Sequence, residues 1–221
     1  MQTQLSRRNV LLLSCGLALC SLAYELIFTQ ILGVLFGSQV TQYNLVVSLF
    51  TCFLGLGALL FPRSLLNRSE LSVFVIVESV LFLIGFFAPF LIVWINSTSP
   101  LIASKLFSYT IISLVGFLSG FELPLMLRFL KNSQGSVLAY DYLGMVIATI
   151  AVPLLLFPFL GVGASSLFVA FSNLFLLFFV TIKEKWKIPL ILIFIGLFII
   201  TYLYRFNINL LLTTFYLKGQ L

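Results

Sequence analysis

Apolar residues fill this chain in long blocks, and the polar residues fall mainly in the short gaps between them. The blocks cover roughly residues 10–36, 43–62, 71–95, 101–127, 138–160, 164–182 and 187–205, and runs such as IPLILIFIGLFIITYLY contain no charge at all. About 20 apolar residues cross a bilayer as one helix. The pattern therefore predicts an all-α integral membrane protein with about seven transmembrane helices. It forms one domain over residues 1–205, followed by a short C-terminal tail, 206–221. The gaps are too short to hold another folded domain.

Composition agrees. The chain has 221 residues, 62% hydrophobic and only 8% charged, with 25 Phe. Its mean hydropathy is +1.21, more apolar surface than a soluble core of this size would bury. The lipid bilayer is thus the expected surrounding.

Charge sets the expected orientation. Arg7, Arg8, Arg63, Arg68, Arg128, Lys131, Lys183, Lys185 and Lys187 fall on one side of the seven spans, and Lys105, Arg205 and Lys218 on the other. The excess of cations marks the cytoplasmic side, so the N-terminus is expected inside and the C-terminus outside a bacterial cytoplasmic (inner) membrane. The net charge of +6 then follows from topology and contact with anionic lipid, and nucleic-acid binding is excluded for want of a basic domain.

The first residues, SRRNVLLLSCGLALC, imitate a twin-arginine or lipoprotein signal. The residues before Cys15 and Cys20 fit a cleavage site poorly, and the apolar run continues to Phe36 as a span does. Cys15, Cys20 and Cys52 lie inside spans without metal-ligand spacing and read as packing residues. No metal or cofactor is expected.

The acids carry more information. Glu70 and Glu184 fall in gaps, whereas Glu25, Glu78, Glu122 and Asp141 fall within or at the edge of spans. An ionisable group there costs several kcal/mol unless it meets a partner or water, which makes it a functional candidate. Ser21, Glu25, Thr29, Gly33 and Gly37 form one small and polar stripe on the first span. In the fourth span Gly116 and Gly120 make GxxxG, Glu122 follows, and Pro124 frees a backbone carbonyl one turn away. Asp141 begins the fifth span between Tyr140 and Tyr142, where the helix dipole favours an acid and Arg128 or Lys131 is within reach as an ion-pair partner. Glu122 lies too deep for that pairing and needs a proton or a cationic ligand. Glu78, in FVIVESVLF, has few polar neighbours in sequence and reads equally as a structural or a functional acid.

Two stretches look alike. YELIFTQILGVLFGSQVTQYNL and FELPLMLRFLKNSQGSVLAYDYL share an aromatic-Glu-Leu start, a later Gly-Ser pair and a leucine seven residues after that serine, and Phe61-Pro62 and Phe157-Pro158 follow in turn. A repeat of three spans must run in opposite directions through the bilayer, so residues 10–95 and 101–182 are expected to be inverted repeats, with the Glu25 and Glu122 helices adjacent.

The segments LAYELIFTQILGVLFGSQVTQYNLVVSLFTCFLGLGALL, GFELPLMLRF and VLAYDYLGMVIATIAVPLLLFPFLGVG resemble the transmembrane half of the membrane-bound polyamine aminopropyltransferases, or spermidine synthase-like proteins, over roughly residues 10–180. In that family a soluble Rossmann-like domain follows, using decarboxylated S-adenosylmethionine and putrescine. That domain is not expected here: LGVGASS lacks the preceding soluble strand and the downstream acids of a nucleotide fold, so no catalytic residue carries over.

The resemblance implies a membrane module that is not an enzyme by itself. One reading has it bind or move a cationic amine, a polyamine, through Glu25, Glu122 and Asp141 beside Tyr24, Tyr140 and Tyr142, which supply counter-charge and aromatic faces. The alternative is a non-transporting anchor or subunit that docks a separately encoded partner, such as a soluble aminopropyltransferase or another membrane subunit. Intramembrane catalysis is the weakest reading, for the chain has no histidine and no serine or cysteine beside an evident base.

Overall fold

The computed structural model describes residues 6–37, 39–61, 70–130, 133–181 and 187–218. Among them every regular element is helical: α1 (Arg7–Phe36), α2 (Gln39–Leu60), α3 (Glu70–Thr98), α4 (Leu101–Ser119), α5 (Glu122–Phe129), α6 (Gln134–Ala151), a π turn (Val152–Leu156), α7 (Phe157–Thr181), α8 (Lys187–Leu203) and α9 (Arg205–Lys218). Five stretches are long and apolar enough to cross a membrane, and α8 with α9 makes a sixth when this bent pair is taken as one. The longest, Gln134–Val180, has 47 residues, which as one helix would be about 70 Å long, over twice the bilayer's hydrocarbon thickness. It is interrupted at Gly161, whose φ of 77° and ψ of 170° are not helical.

Three expected boundaries are corrected. The fourth span is two helices, broken at Gly120 and Phe121, which puts Pro124 in the first turn of α5, where no amide donor is required of it. The fifth begins at Gln134, before residue 138, because Gln134, Gly135 and Ser136 complete its first turn. The residues expected as a tail from 206 are mostly α9, bent 55° from α8 and packed against α3 and α7. Their apolar positions Leu210, Leu211 and Leu212 sustain a helix, and Asn209 anchors it.

The central element is α1, which packs against every helix from α2 to α7. Close approach is made by small residues, which let two helix backbones come together. Gly116 and Gly120 of α4 lie on the backbone carbonyls of Phe50 and Leu54 of α2, and Gly144 of α6 lies on that of Cys15 of α1. Contacts advance together along both pairs. Arg7 meets Ser136 and Ser14 meets Val137, then Cys15 meets Gly144, so α1 and α6 run parallel. Tyr109 meets Gln42, then Gly116 meets Phe50 and Gly120 meets Leu54, so α2 and α4 do the same. In contrast, Phe82 and Phe86 both meet Phe171 while Val93 shares a cavity with Val162, which makes α3 and α7 antiparallel.

The described cations sort by end. Arg7 lies at the start of α1, and Arg128 at the last turn of α5 covers the Phe61 ring just past α2. At the opposite end Lys105 sits over Phe36 and Arg205 over Tyr202. Arg63, Arg68, Lys131, Lys183 and Lys185, which the orientation argument also used, lie outside the described residues.

Candidate functional site

Polar side chains gather inside the bundle in the half that holds the start of α1. Burial of such groups in a chain otherwise so apolar is the observation to explain. From α1, one turn apart, come Cys20 and Tyr24, both buried. Helix α3 contributes Glu78, which is 0% exposed. The break between α4 and α5 contributes Ser119 and Glu122, also buried, and α7 contributes Asn173. Tyr24 lies within electrostatic reach of Cys20, Glu78 and Glu122, Glu122 of Glu78 and Asp141, and Cys20 of both glutamates.

Local structure explains the convergence. The helix is interrupted at Gly120 and Phe121, so Glu122 sits in the first turn of α5, where the dipole favours an acid. Gly85 of α3 has no side chain to occupy the space taken by the Tyr24 ring, which also stacks on Phe28 with centroids 6.4 Å apart. Asn173 is the polar neighbour of Glu78 across the α3–α7 contact, and the Ser119 hydroxyl is that of Glu122. Proximity does not become pairing. Both Glu78 carboxyl oxygens, the Tyr24 hydroxyl, the Ser119 hydroxyl and the Asn173 side-chain oxygen are buried without a hydrogen-bond partner. Native interiors leave few such atoms, and each unmade bond costs about 1–3 kcal/mol. Five together mark this cluster as the candidate site.

The sequence-derived candidates divide. Tyr24 and Glu122 belong to the cluster, and Asp141 reaches it through Glu122. Asp141 is buried and beside Ser14, whose hydroxyl donates to the Val137 carbonyl at 3.4 Å. Glu25 is buried, and its helix does pack on α4 and α5, but the charged neighbours of Glu122 are Glu78 and Asp141. One step along α1 turns Glu25 about 100° away from Tyr24. Tyr140 and Tyr142 are corrected: at 37% and 63% exposed they lie on the outside of α6, because flanking residues on a helix cannot share the face of Asp141. The Arg128–Asp141 pair is corrected as well, since Arg128 lies 4.8 Å over the Phe61 ring. Lys131 lies outside the described residues.

Sequence reasoning undervalued Glu78 and missed Asn173, Ser119 and Cys20. The available signal was that Glu78 and Asn173 are each a lone strongly polar residue within a long apolar block.

With this geometry established, comparison with known proteins adds a relationship. The chain is 28% identical over 164 residues, 71% of its length, to a polyamine aminopropyltransferase of Oceanobacillus iheyensis, and 29% identical over 173 residues, 75% of its length, to polyamine aminopropyltransferase 1 of Streptomyces coelicolor. It spans about a third of the length of these curated relatives, 32% in each case. No family model matches, and no solved structure matches.

Proposed function

We propose that this chain is a membrane-embedded module that binds a cationic amine, of the polyamine class, at Glu122, Glu78 and Tyr24, and that it spans a bacterial cytoplasmic membrane seven times with its N-terminus inside. The observation that carries the binding reading is the buried cluster of unpartnered oxygens around two neighbouring carboxyl groups. Among the described residues no cation is paired with either. An ammonium supplies what the cluster lacks: positive charge, several N–H donors, and a face for the Tyr24 ring. The similarity to polyamine aminopropyltransferases supports a polyamine as that amine.

Arg7, Arg8 and Arg128 at the end where α1 starts, against Lys105 and Arg205 at the other, support the orientation. The break at Gly161 supports two crossings within Gln134–Val180, and α8 supplies the seventh. The inverted repeat is supported by the packing. Exchanging α1, α2 and α3 for α4–α5, α6 and α7 turns the parallel pair α1–α6 into the parallel pair α4–α2, turns the α1–α7 contact into α4–α3, and leaves the antiparallel α3–α7 pair unchanged. Movement of the amine across the membrane is the natural use of such a repeat.

The test is thermal unfolding of the purified chain with and without spermidine. A ligand at 100 times its dissociation constant stabilises by about 2.7 kcal/mol, and Glu122→Gln, which keeps shape and loses charge, is expected to remove this shift while remaining folded. An equal response in the variant and the wild type would leave Glu122 a packing residue. The module would then be read as an anchor that docks a separately encoded partner.

A further inference from the structure

Away from the acids, towards the far end of α1, a cavity of about 430 Å³ lies between α1, α3, α7 and α9. Its place follows from the break at Gly161. Residues 161–163 are Gly-Val-Gly and fill little space, and α9 is fixed to this segment by the hydrogen bonds of Asn209. One face of α9, with Asn209, Leu212 and Thr213 at helical spacing, then stands across the cavity from the α1 turn that runs from Gln30 to Leu35. The floor is apolar and buried, formed by Ile31 of α1 and Val93 of α3. The mouth holds Gln30, Val34 and Thr213, all exposed on the flank of the bundle. No lining residue carries a charge.

The polar groups of the lining differ in what they have left to offer. Asn209 is engaged, its nitrogen donating to the Leu160 and Arg205 carbonyls and its oxygen accepting from the Gly163 amide. The Thr213 hydroxyl donates to the Leu210 carbonyl. The Gln30 amide makes no hydrogen bond among the described residues, so a free donor and a free acceptor stand together at the mouth of an apolar cavity.

We propose that this cavity takes one hydrocarbon chain of a membrane lipid, with the Gln30 amide meeting the ester group from which the chain hangs. This rests on the reading of the protein as membrane-spanning and is independent of the amine site. Volume, charge and access choose the occupant. At the roughly 25 Å³ per carbon implied by benzene in a cavity of about 150 Å³, there is room for about 17 carbon atoms, the size of one acyl chain. A charged group would enter without a counter-charge, whereas methylenes match the apolar walls. Leu12, about five turns before Gln30 on the same side of α1, is exposed as well. The mouth therefore opens sideways on a flank that runs the length of a span, where the neighbour is lipid. A chain seated there bridges α9 to α1.

Photolabelling tests this with the purified full chain in phosphatidylglycerol vesicles, doped with the same lipid carrying a diazirine in its acyl chain and read by peptide mass spectrometry. Labelling at residues 30–35 and 212–213 is expected to exceed that around Leu12 at least fivefold. Val34→Trp, which puts an indole into the mouth, is expected to remove the excess, and Leu12→Trp to leave it. Gln30→Leu is expected to lower it at least twofold; an excess unchanged by that variant overturns the assignment of Gln30 to the ester. Uniform labelling along the α1 flank, or an excess that survives Val34→Trp, overturns the site. Should Val34→Trp fail to fold, Thr213→Trp blocks the mouth from α9 with the same expected result. Trace hexadecanol removing the excess would mean that a free alcohol is preferred to the lipid chain, and overturns the occupant. Release of the wild-type chain from the vesicles by alkaline carbonate overturns the membrane-spanning reading and the site with it, whereas a retained chain without the excess overturns the site alone.

Discussion

Two helical stretches are broken, and they recover their lost backbone hydrogen bonds by different means. At the α4–α5 break the chain stays right-handed through Gly120, φ −60°, and the bonds close locally. The Gly120 amide donates to the Gly116 carbonyl, that of Phe121 to Leu118, and that of Leu125 to Phe121. At Gly161 the backbone enters a region that only glycine occupies readily, and local closure fails. Asn209 of α9, 48 residues later, bridges the gap: its side-chain nitrogen donates to the Leu160 carbonyl at 2.6 Å, and its oxygen accepts from the Gly163 amide at 3.0 Å. The first break is a local interruption, right-handed throughout, after which α5 starts at the buried Glu122. The second is a reversal completed by a distant helix, which gives α9 a structural purpose that a tail would lack. Backbone groups freed inside a packed bundle need new partners, and here one asparagine supplies them on both sides of the gap.

If this contrast is right, substitutions at the two breaks differ in kind. Gly161→Ala is expected to have the largest effect, about 4 kcal/mol, because backbone strain of about 1–3 kcal/mol adds to displacement of the Asn209 amide, on which a Cβ would fall. Chemical unfolding in detergent measures it, and the comparison position is Gly37, with a similar φ of 67° but open space around it. Gly37→Ala showing the same loss would remove Asn209 from the explanation.

Next comes Gly120→Ala, at about 2–3 kcal/mol. Its backbone is unstrained, so the whole loss arises from the Leu54 carbonyl and Gly57 of α2. Cross-linking between α2 and α4 should report their separation, with the environment of α9 unchanged. The smallest effect expected is Asn209→Ala, about 2 kcal/mol from the bonds it leaves unmade. In a double-mutant cycle its cost should largely vanish in the Gly161→Ala background, and it should add simply to Gly120→Ala. Coupling between Asn209 and Gly120 would show that the two breaks are one mechanical unit.

Much of the bundle was legible because the quantities that predict long apolar helices are local. Block length, apolar content and small residues at GxxxG spacing are written in order along the chain, and α1 to α3 follow them closely. Glu122 was legible for the same reason: an acid beside GxxxG and a proline must face protein. What a block pattern lacks is angular information, since a span that is apolar all round has no preferred face. Hence Tyr140 and Tyr142 could be drawn into the site by nearness in sequence to Asp141, though the 100° turn per residue sends them outward, and Glu25 could be paired with Glu122 although the charged neighbours of that carboxyl, Glu78 and Asp141, lie on other helices.

The sequence by itself determined that this chain would form a bundle of long apolar helices with a few acids inside it, because block length and apolar content are the same wherever the helices end up. Only the tertiary structure decided which acids meet. Glu78, Asn173 and Ser119 come from separate helices, and their convergence depends on the antiparallel α3–α7 contact and on the packing of α4 and α5 against α3. Such contacts join residues far apart in the chain, and the physical reason they form, the fit of small residues and backbone across a helix interface, appears only when both surfaces are present.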